Sequence, residues 1–370
     1  MDASDLPAVQ LRYALIGGAA SIAASHIAAL RQLPGAQIVG LSDVAGERGA
    51  ARAHELGCPF FENHNAMLAE LRPDVAVICT PHPSHAALTI DALRAGAHVL
   101  VEKPLAVEVA EADAMIAAAD AAGRLLAVNL QHRFRPVVER ARTLIDEGEI
   151  GPLVRTLCVE PTYRTAAYYR SAGWRGTWRG EGGGVLLNQA PHPLDLLCWL
   201  AGMPARVWGW ARTRAHTIEC EDTAQALLEY PNGAPGYVYF STAEPDELGR
   251  LEIVGERGAL VIAGDDLTTL RYTPSLPEHL ARCPELWDVP DATISAQTVS
   301  GDGGGHLAVH RDLAEAIAKG RPPRADGCEA RKSLELANAI ILSSHLERPV
   351  DLPLDRAAYG ALLARLRGGV

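Results

Sequence analysis

The sequence predicts an α/β protein: a parallel, doubly wound sheet in the first third, then an α+β domain on a large, open, mostly antiparallel sheet. Three observations carry this. Up to about residue 130, short apolar runs alternate with amphipathic helical ones, the rhythm of strands joined by crossover helices. One run, VAVICT at 75–80, is almost wholly apolar, as a strand covered on both faces must be. Beyond residue 150, β-type segments follow one another, some joined by tight turns such as Asn232-Gly233.

Residues 12–16 read as the first strand and 22–32 as the first helix, ended by Pro34-Gly35. A strand at 38–42 and a helix at 46–56, closed by Gly57, follow. Strand 75–80, helix 84–95, strand 99–101, helix 107–122 and strand 125–130 complete the pattern. Gly96 and Gly123 close the two helices, as glycine does where the backbone turns left-handed. A helix at 136–147 runs into a turn at 148–152, so the chain divides into 1–135 and 136–370. In the second part strands are expected at 154–159, 207–212, 224–230, 236–242 and 251–261, and helices at 306–319 and 329–346. Residues 274–305 read as an irregular loop, of a length usually tied to function.

A hydrophobic fraction of 48% supports a sizeable core. With 34 Lys+Arg against 45 Asp+Glu the net charge is −11, and no basic run localises the opposite sign, which argues against a nucleic-acid partner. The Ala-rich stretch at 112–127 is broken by Asp113, Asp120 and Arg124, so no membrane span is expected. MDASDLPAVQ at the start lacks the basic and apolar regions of a secretion leader. Seven scattered cysteines without a CxxC pair read as reduced thiols of a cytoplasmic protein rather than disulfides or a zinc site.

Strand 1 runs into Gly17-Gly18-Ala19-Ala20-Ser21-Ile22-Ala23 and then a helix. Such a turn brings backbone N–H groups up to a pyrophosphate. The register starting at Gly18 puts Ala20 where the second glycine is preferred and Ala23 at the third position. Asp43, at the end of strand 2, stands where a carboxylate accepts hydrogen bonds from a ribose and repels a 2′-phosphate, favouring NAD over NADP. Its other reading is a cap for the next helix. Glu102-Lys103-Pro104 sets two charges at the end of a buried strand, the edge where open α/β sheets bind ligands. There a lysine can share its proton with a substrate hydroxyl; a plain Glu–Lys ion pair is the alternative.

These residues resemble the Gfo/Idh/MocA oxidoreductase family over nearly the whole chain. The stretch Pro73-Asp74-Val75-Ala76-Val77-Ile78-Cys79-Thr80-Pro81, His85, and Ala95-Gly96-Ala97-His98-Val99-Leu100-Val101-Glu102-Lys103-Pro104 form its most recognisable block, and the turn through Ile22, Ala23 and His26 matches its opening. The resemblance implies a Rossmann domain with Thr80, Pro81, His82 and His85 at the cofactor groove, Glu102 toward the nicotinamide ribose and Lys103 as the catalytic lysine, followed by a cis bond. Gln131, in Gln131-His132-Arg133-Phe134, is implied to approach nicotinamide or substrate.

Gly182-Gly183-Gly184-Val185-Leu186-Leu187-Asn188-Gln189-Ala190-Pro191-His192-Pro193-Leu194-Asp195 resembles the family's second signature. His192 and Asp195 share a helix face, and an imidazole has the near-neutral pKa needed to accept a hydroxyl proton. Asn188 stands where many members carry Asp; it is assigned to orientation, with Asp195 as a source of the missing charge. A helix cap with a core-facing histidine is the alternative. Tyr163, Tyr168, Tyr169, Trp174 and Trp178, with Arg175 among them, suit stacking on a sugar and donation to its hydroxyls, or subunit packing. His306-x-x-x-His310 has metal-ligand spacing without the zinc-protease Glu; His306 is expected to reach substrate, and no metal is expected.

The expectation is an NAD-dependent dehydrogenase acting on a secondary ring hydroxyl of a sugar, a glycoside (at C3) or a cyclitol. The alternatives are an NAD-recycling glycosidase or epimerase and a non-enzymatic dinucleotide-binding regulator. The resemblance further implies a homodimer or homotetramer.

Overall fold

The computed structural model describes residues 10–245, 248–301 and 303–368. The first nine residues, from which the lack of a leader is read, lie outside them. The chain forms two compact units. One runs up to Gln131 and takes back Gly304–Arg331; the other holds His132–Gly303 and the chain from Lys332 onward.

The first unit is built on six strands: β1 (Leu11–Ile16), β2 (Ala36–Ser42), β3 (Phe60–Phe61), β4 (Val75–Ile78), β5 (His98–Val101) and β6 (Leu126–Val128). They pair in the order β3-β2-β1-β4-β5-β6, every pair parallel. All four residues of β4 are buried, as their apolar character requires of a strand covered on both faces. β3 and the helix His64–Leu71 are not in the sequence reading. Two residues are too few for a period, and the helix is announced only by Asn63, whose side chain accepts from Ala66 N–H at 3.1 Å.

The sequence division at 135/136 leaves 304–331 with the second half. In the structure helix Gly305–Lys319 packs on helix Ala23–Gln32, and Val128 N–H donates to Ala325 O at 2.9 Å beside an Ala127–Asp326 bridge. The returning segment thus covers the first helix and caps the β6 edge. Its local sequence reads as an amphipathic helix whichever sheet it covers.

The second unit carries β7 (Leu153–Pro161), β8 (Arg206–Arg212), β9 (Thr223–Glu229), β10 (Pro235–Ser241), β11 (Arg250–Gly255), β12 (Gly258–Ala263), β13 (Asp266–Thr273), β14 (Asp291–Thr298) and β15 (Val350–Asp351). Their order is β14-β13-β12-β11-β7-β10-β9-β8-β15, with only β7 and β10 parallel. The single strand expected at 251–261 is a hairpin turning at Glu256-Arg257. The stretch expected to be irregular holds helix Leu276–Arg282 and the strand β14. Helix Pro191–Ala201 packs on β7 and β11. Gly209 gives helix Gly327–Leu346 room, since a Cβ there would lie 2.4 Å from Ile340 O. All seven cysteines are free, and no described helix is long and apolar enough to cross a membrane.

One glycine is required where β1 meets its turn. Gly17 has φ +81°, and a Cβ there would sit 2.6 Å from Thr80 Cγ2. Gly17→Ala should lower unfolding free energy by about 1–3 kcal/mol in a denaturant titration. An unchanged midpoint would mean the turn does not have this conformation.

Candidate active site

The candidate residues fall into two groups, one in each unit. In the first, Gly17 and Gly18 N–H groups approach Ser42 O at 2.8 and 3.3 Å, folding the turn over the end of β2. A Cβ on Gly18 would lie 2.3 Å from Leu41 Cγ, so this glycine serves packing of the turn. Ile22 precedes the helix Ala23–Gln32 and Ser21 is exposed. A cavity of about 290 Å³ opens here, lined by Gly17, Ala19, Ala20, Asp43, Thr80 and Pro81 among others. It lies at the carboxyl ends of β1, β2 and β4, where such sheets bind nucleotides.

Asp43 lines the cavity and organises it. Its Oδ2 accepts from Ala19 N–H and its Oδ1 from Ala45 N–H, both at 2.8 Å. The residue capping the next helix is Ala45, so Asp43 is not that helix's cap. A carboxylate offers about four lone-pair sites, which leaves acceptor capacity toward the cavity. Arg48, absent from the sequence reading, donates to Ala19 O at 2.9 Å and adds a cation to the lining.

His85 is fully buried and turned inward. Its ring nitrogens lie 2.8 Å from Thr80 O and from Pro104 O, tying the end of β4 to the turn after β5. Burial lowers its pKa, against the pull of those two carbonyls. His82 is buried beside it, ring centroids 5.8 Å apart.

Glu102 follows β5 and is buried. Burial alone would raise its pKa, but the hydrogen bond from His26, the nearby His306 imidazole and the charge of Lys103 hold it well below the usual carboxylate range. Its Oε1 accepts from His26 Nε2 at 2.8 Å and from Asn129 Nδ2 at 2.7 Å, with His306 Nε2 3.5 Å away. His26 Nδ1 lies 2.9 Å from His310 Nε2. Burial, with the neighbouring imidazoles, keeps His310 neutral. The structure therefore places His306, expected at the substrate, in the shell around Glu102. Lys103 follows directly, its own N–H donating to Glu102 Oε2 at 3.2 Å, and the Lys103–Pro104 peptide is cis as the resemblance implies. Gln131 Oε1 is buried with no hydrogen-bond partner among the described residues.

In the second unit His192 stands in the first turn of helix Pro191–Ala201, with Pro191 in the first-turn position that suits it. The His132 ring stacks on it, centroids 4.2 Å apart and planes 19° from parallel. Asp195, offered by the sequence as a charge for His192, is instead engaged by Arg133. Nε and Nη2 of this fully buried guanidinium donate to its two oxygens at 2.8 and 2.7 Å.

Asn188 has a different partner. Its Nδ2 donates to Glu181 Oε1 and, at 3.0 Å, to the Tyr168 hydroxyl. That hydroxyl also receives Arg175 Nη1 at 2.5 Å and Gln189 Nε2 at 3.3 Å, while the Arg175 guanidinium lies over the Tyr168 and Trp174 rings. Tyr163 is exposed, with its carbonyl accepting from Arg164. Glu181 also accepts from Gly176 N–H at 2.6 Å. Beneath the glycine-rich turn, Glu221 Oε1 accepts from Gly184 and Leu186 N–H at 2.9 and 3.1 Å. Burial, aided by Glu181, pushes Glu221 up to about 7.

Sequence reasoning missed Glu181 and Glu221. Glu181 is signalled only by its place before Gly182, and Glu221 by nothing local.

Two predictions follow from these carboxylates. Asp195→Asn leaves Arg133 buried beside a neutral group and should cost about 3–5 kcal/mol in chemical denaturation; a loss under about 1 kcal/mol would rule out a buried pair. Because Glu221 is raised above its ordinary 4.5, the fold prefers its acid form. Its contribution is present below about pH 4.5 and is lost as pH rises through about 7. Between pH 4.5 and 8 the wild type should lose on the order of 3 kcal/mol relative to Glu221→Gln. Parallel stability–pH curves would contradict this.

Residues 11–130 match the oxidoreductase family with the NAD-binding Rossmann fold, and residues 138–261 match the GFO/IDH/MocA C-terminal domain. The chain is 28% identical over 356 residues to D-apiose dehydrogenase of Paraburkholderia graminis, covering 94% of this chain and 91% of that one. It is 31% identical over 202 residues to D-glucoside 3-dehydrogenase of Escherichia coli, 53% of this chain and 55% of that one. Among solved structures it resembles the WlbA dehydrogenase from Bordetella pertussis in complex with NADH and UDP-GlcNAcA, with 27% identity and a TM-score of 0.81 over 95% of this chain and 100% of that one. A nucleotide turn and lysine-bearing strand end in one unit, and a His-bearing helix after a glycine-rich turn in the other, thus coincide with matches to both domains of one family: this chain belongs to the Gfo/Idh/MocA oxidoreductases.

Proposed function

We propose that the protein oxidises a secondary ring hydroxyl of a sugar or glycoside with NAD, reversibly. The observation that carries this is the first unit's nucleotide cavity, next in the fold to a strand end where Lys103 follows a buried, ionised Glu102. The residues fit the cofactor on two counts. Asp43 keeps acceptor capacity at the cavity, and Gln131 Oε1 is a buried acceptor without a partner among the described residues. Gly17, Ala20, Asp43, Thr80 and Pro81 would hold NAD, with Glu102 toward the nicotinamide ribose. Asp43 supports NAD over NADP by repelling a 2′-phosphate.

Bound NAD supplies the acceptor for the hydrogen that leaves the carbinol carbon as hydride. His192 accepts the hydroxyl proton, and Lys103 donates a hydrogen bond to the oxygen as negative charge develops on it. Asn188, held by Glu181 and Tyr168, orients rather than titrates. Trp174 and Arg175 offer a stacking face and a guanidinium suited to a sugar ring. The relatives that act on D-apiose and on D-glucosides support a sugar or glycoside substrate, with C3 as the carbon oxidised.

The composition and scattered free thiols support a cytoplasmic protein. Trp208 and Leu227, directly paired across β8 and β9, are each 56% exposed, which supports a homodimer or homotetramer formed through this sheet face.

The test is absorbance of NADH on mixing protein and NAD with free sugars, glycosides, nucleotide sugars and inositols. A substrate-dependent rise is expected, slower with NADP, and lower by about 10²–10⁴-fold in Lys103→Ala and in His192→Ala. Consumption of a glycoside that needs NAD but yields no net NADH would replace this reading with a cofactor-recycling one. NAD binding without turnover of any class would replace it with a regulator.

A further inference from the structure

The arm between β13 and β14 has almost no core. Helix Leu276–Arg282 buries no residue, every residue of β14 is exposed, and Leu280, Leu286 and Trp287 are 86, 86 and 92% exposed. Ordering a residue costs about 1–2 kcal/mol in backbone entropy. Apolar burial, which normally offsets that cost, is missing here. Local hydrogen bonds hold the helix start: Leu276 N–H donates to Glu256 O at 2.8 Å, and Ser275 and Glu278 form a capping box. They do not reach the return segment at 284–290.

Three donors of different elements meet where that segment comes back. His279 and Cys283 stand one helical turn apart, with Cys283 N–H on His279 O at 2.8 Å. Cys283 Sγ lies 3.5 Å from Asp288 Oδ2, and His279 Nε2 lies 3.9 Å from the same oxygen. All three ligand atoms fall within 4.8 Å of one another. His279 Nε2 is buried and has no hydrogen-bond partner among the described residues.

One of these separations matches a metal's coordination edge and the others lie near it. With zinc bonds of about 2.3 Å to sulfur and about 2.0–2.1 Å to nitrogen or oxygen, a tetrahedron sets sulfur and oxygen about 3.5 Å apart and nitrogen and oxygen about 3.3 Å apart. One edge already has that length, and a small imidazole shift closes the second. Thiolate, imidazole and carboxylate are zinc's three protein ligand types. The other cluster with ligand-like spacing, His26–Glu102–His306, has no sulfur, and its carboxylate already accepts from His26 and Asn129 at 2.8 and 2.7 Å.

We propose that His279, Cys283 and Asp288 bind a zinc-type divalent cation, with water in the fourth position, and that this ion staples the arm. Binding replaces the Cys283 thiol proton, which is released to solvent, so affinity rises with pH. The spacing His-x3-Cys-x4-Asp escapes a search for CxxC pairs, which is why the sequence reads as lacking a zinc site.

The test uses the full-length protein, stripped with a chelator and titrated with Co²⁺ under reducing conditions. One equivalent should produce a thiolate-to-cobalt band in the near ultraviolet and visible bands typical of tetrahedral coordination, and Zn²⁺ should bleach both. Cys283→Ser and His279→Ala should lose the thiolate band, while His306→Ala retains it. The arm buries almost nothing, so these arm substitutions leave the rest of the fold intact, checked by their melting curves. Zn²⁺ should also slow tryptic cleavage after Arg282 in the wild type at least several-fold, and not in Cys283→Ser. A titration without a thiolate band, a band that survives Cys283→Ser, or cleavage indifferent to Zn²⁺ would overturn the proposal.

Discussion

The first unit depends on the cost of keeping one carboxylate charged inside protein. An isolated buried carboxylate neutralises itself rather than stay ionised. Glu102 avoids that only by gathering donors, and they come from distant parts of the chain: His26 from the first helix, Asn129 from beyond β6, and His306 from the segment that returns after residue 303. His310, one turn on, backs His26 in turn. The helix Gly305–Lys319 therefore belongs with the first sheet for an electrostatic reason as well as an apolar one. The same charge stands one residue before Lys103, so the requirement that organises this part of the fold also sets the field at the lysine.

The second unit solves a related problem with different groups. Its glycine-rich turn winds around Glu221, whose oxygen takes two turn N–H groups, and a Cβ on Gly184 would lie 1.8 Å from the Glu221 carbonyl oxygen. Glu181 approaches the same region and raises Glu221 further. A third carboxylate at 188 would add another acceptor facing Glu181, where a donor is needed. Asn188 supplies that donor through Nδ2.

The parallel sheet was legible because β4 and most of β5 and β6 are buried on both faces and the helices Gly46–Leu56 and Val109–Ala122 end in glycine, and both are local signals. The turn at Gly17–Gly18, Asp43 and the Glu102-Lys103 strand end were legible for the same reason. What escaped depends on contacts between residues far apart in sequence. The pairing of Arg133 with Asp195 spans 62 positions, and the contact of His26 with His310 spans 284. A period-based reading also cannot separate one strand from a hairpin when the turn, Glu256-Arg257, holds charged residues and the flanking runs stay apolar. The stretch at 274–305 looked irregular because β14 is exposed throughout and carries no alternation to detect.

Stability and chemistry are therefore hard to separate here. Asp195 shows the division most clearly. It shares a helix face with His192, and spacing alone would draft it into proton transfer. Yet a bidentate pair with a fully buried guanidinium offsets its charge at the point where a catalytic helper would need it free. Arg133 directly follows His132, whose ring stacks on His192, so anchoring Arg133 also anchors the stacked ring. The pair bears on the His192 imidazole through position rather than charge: it ties the first turns of the helix to the segment that carries His132, and the His192 ring is oriented by that stacking.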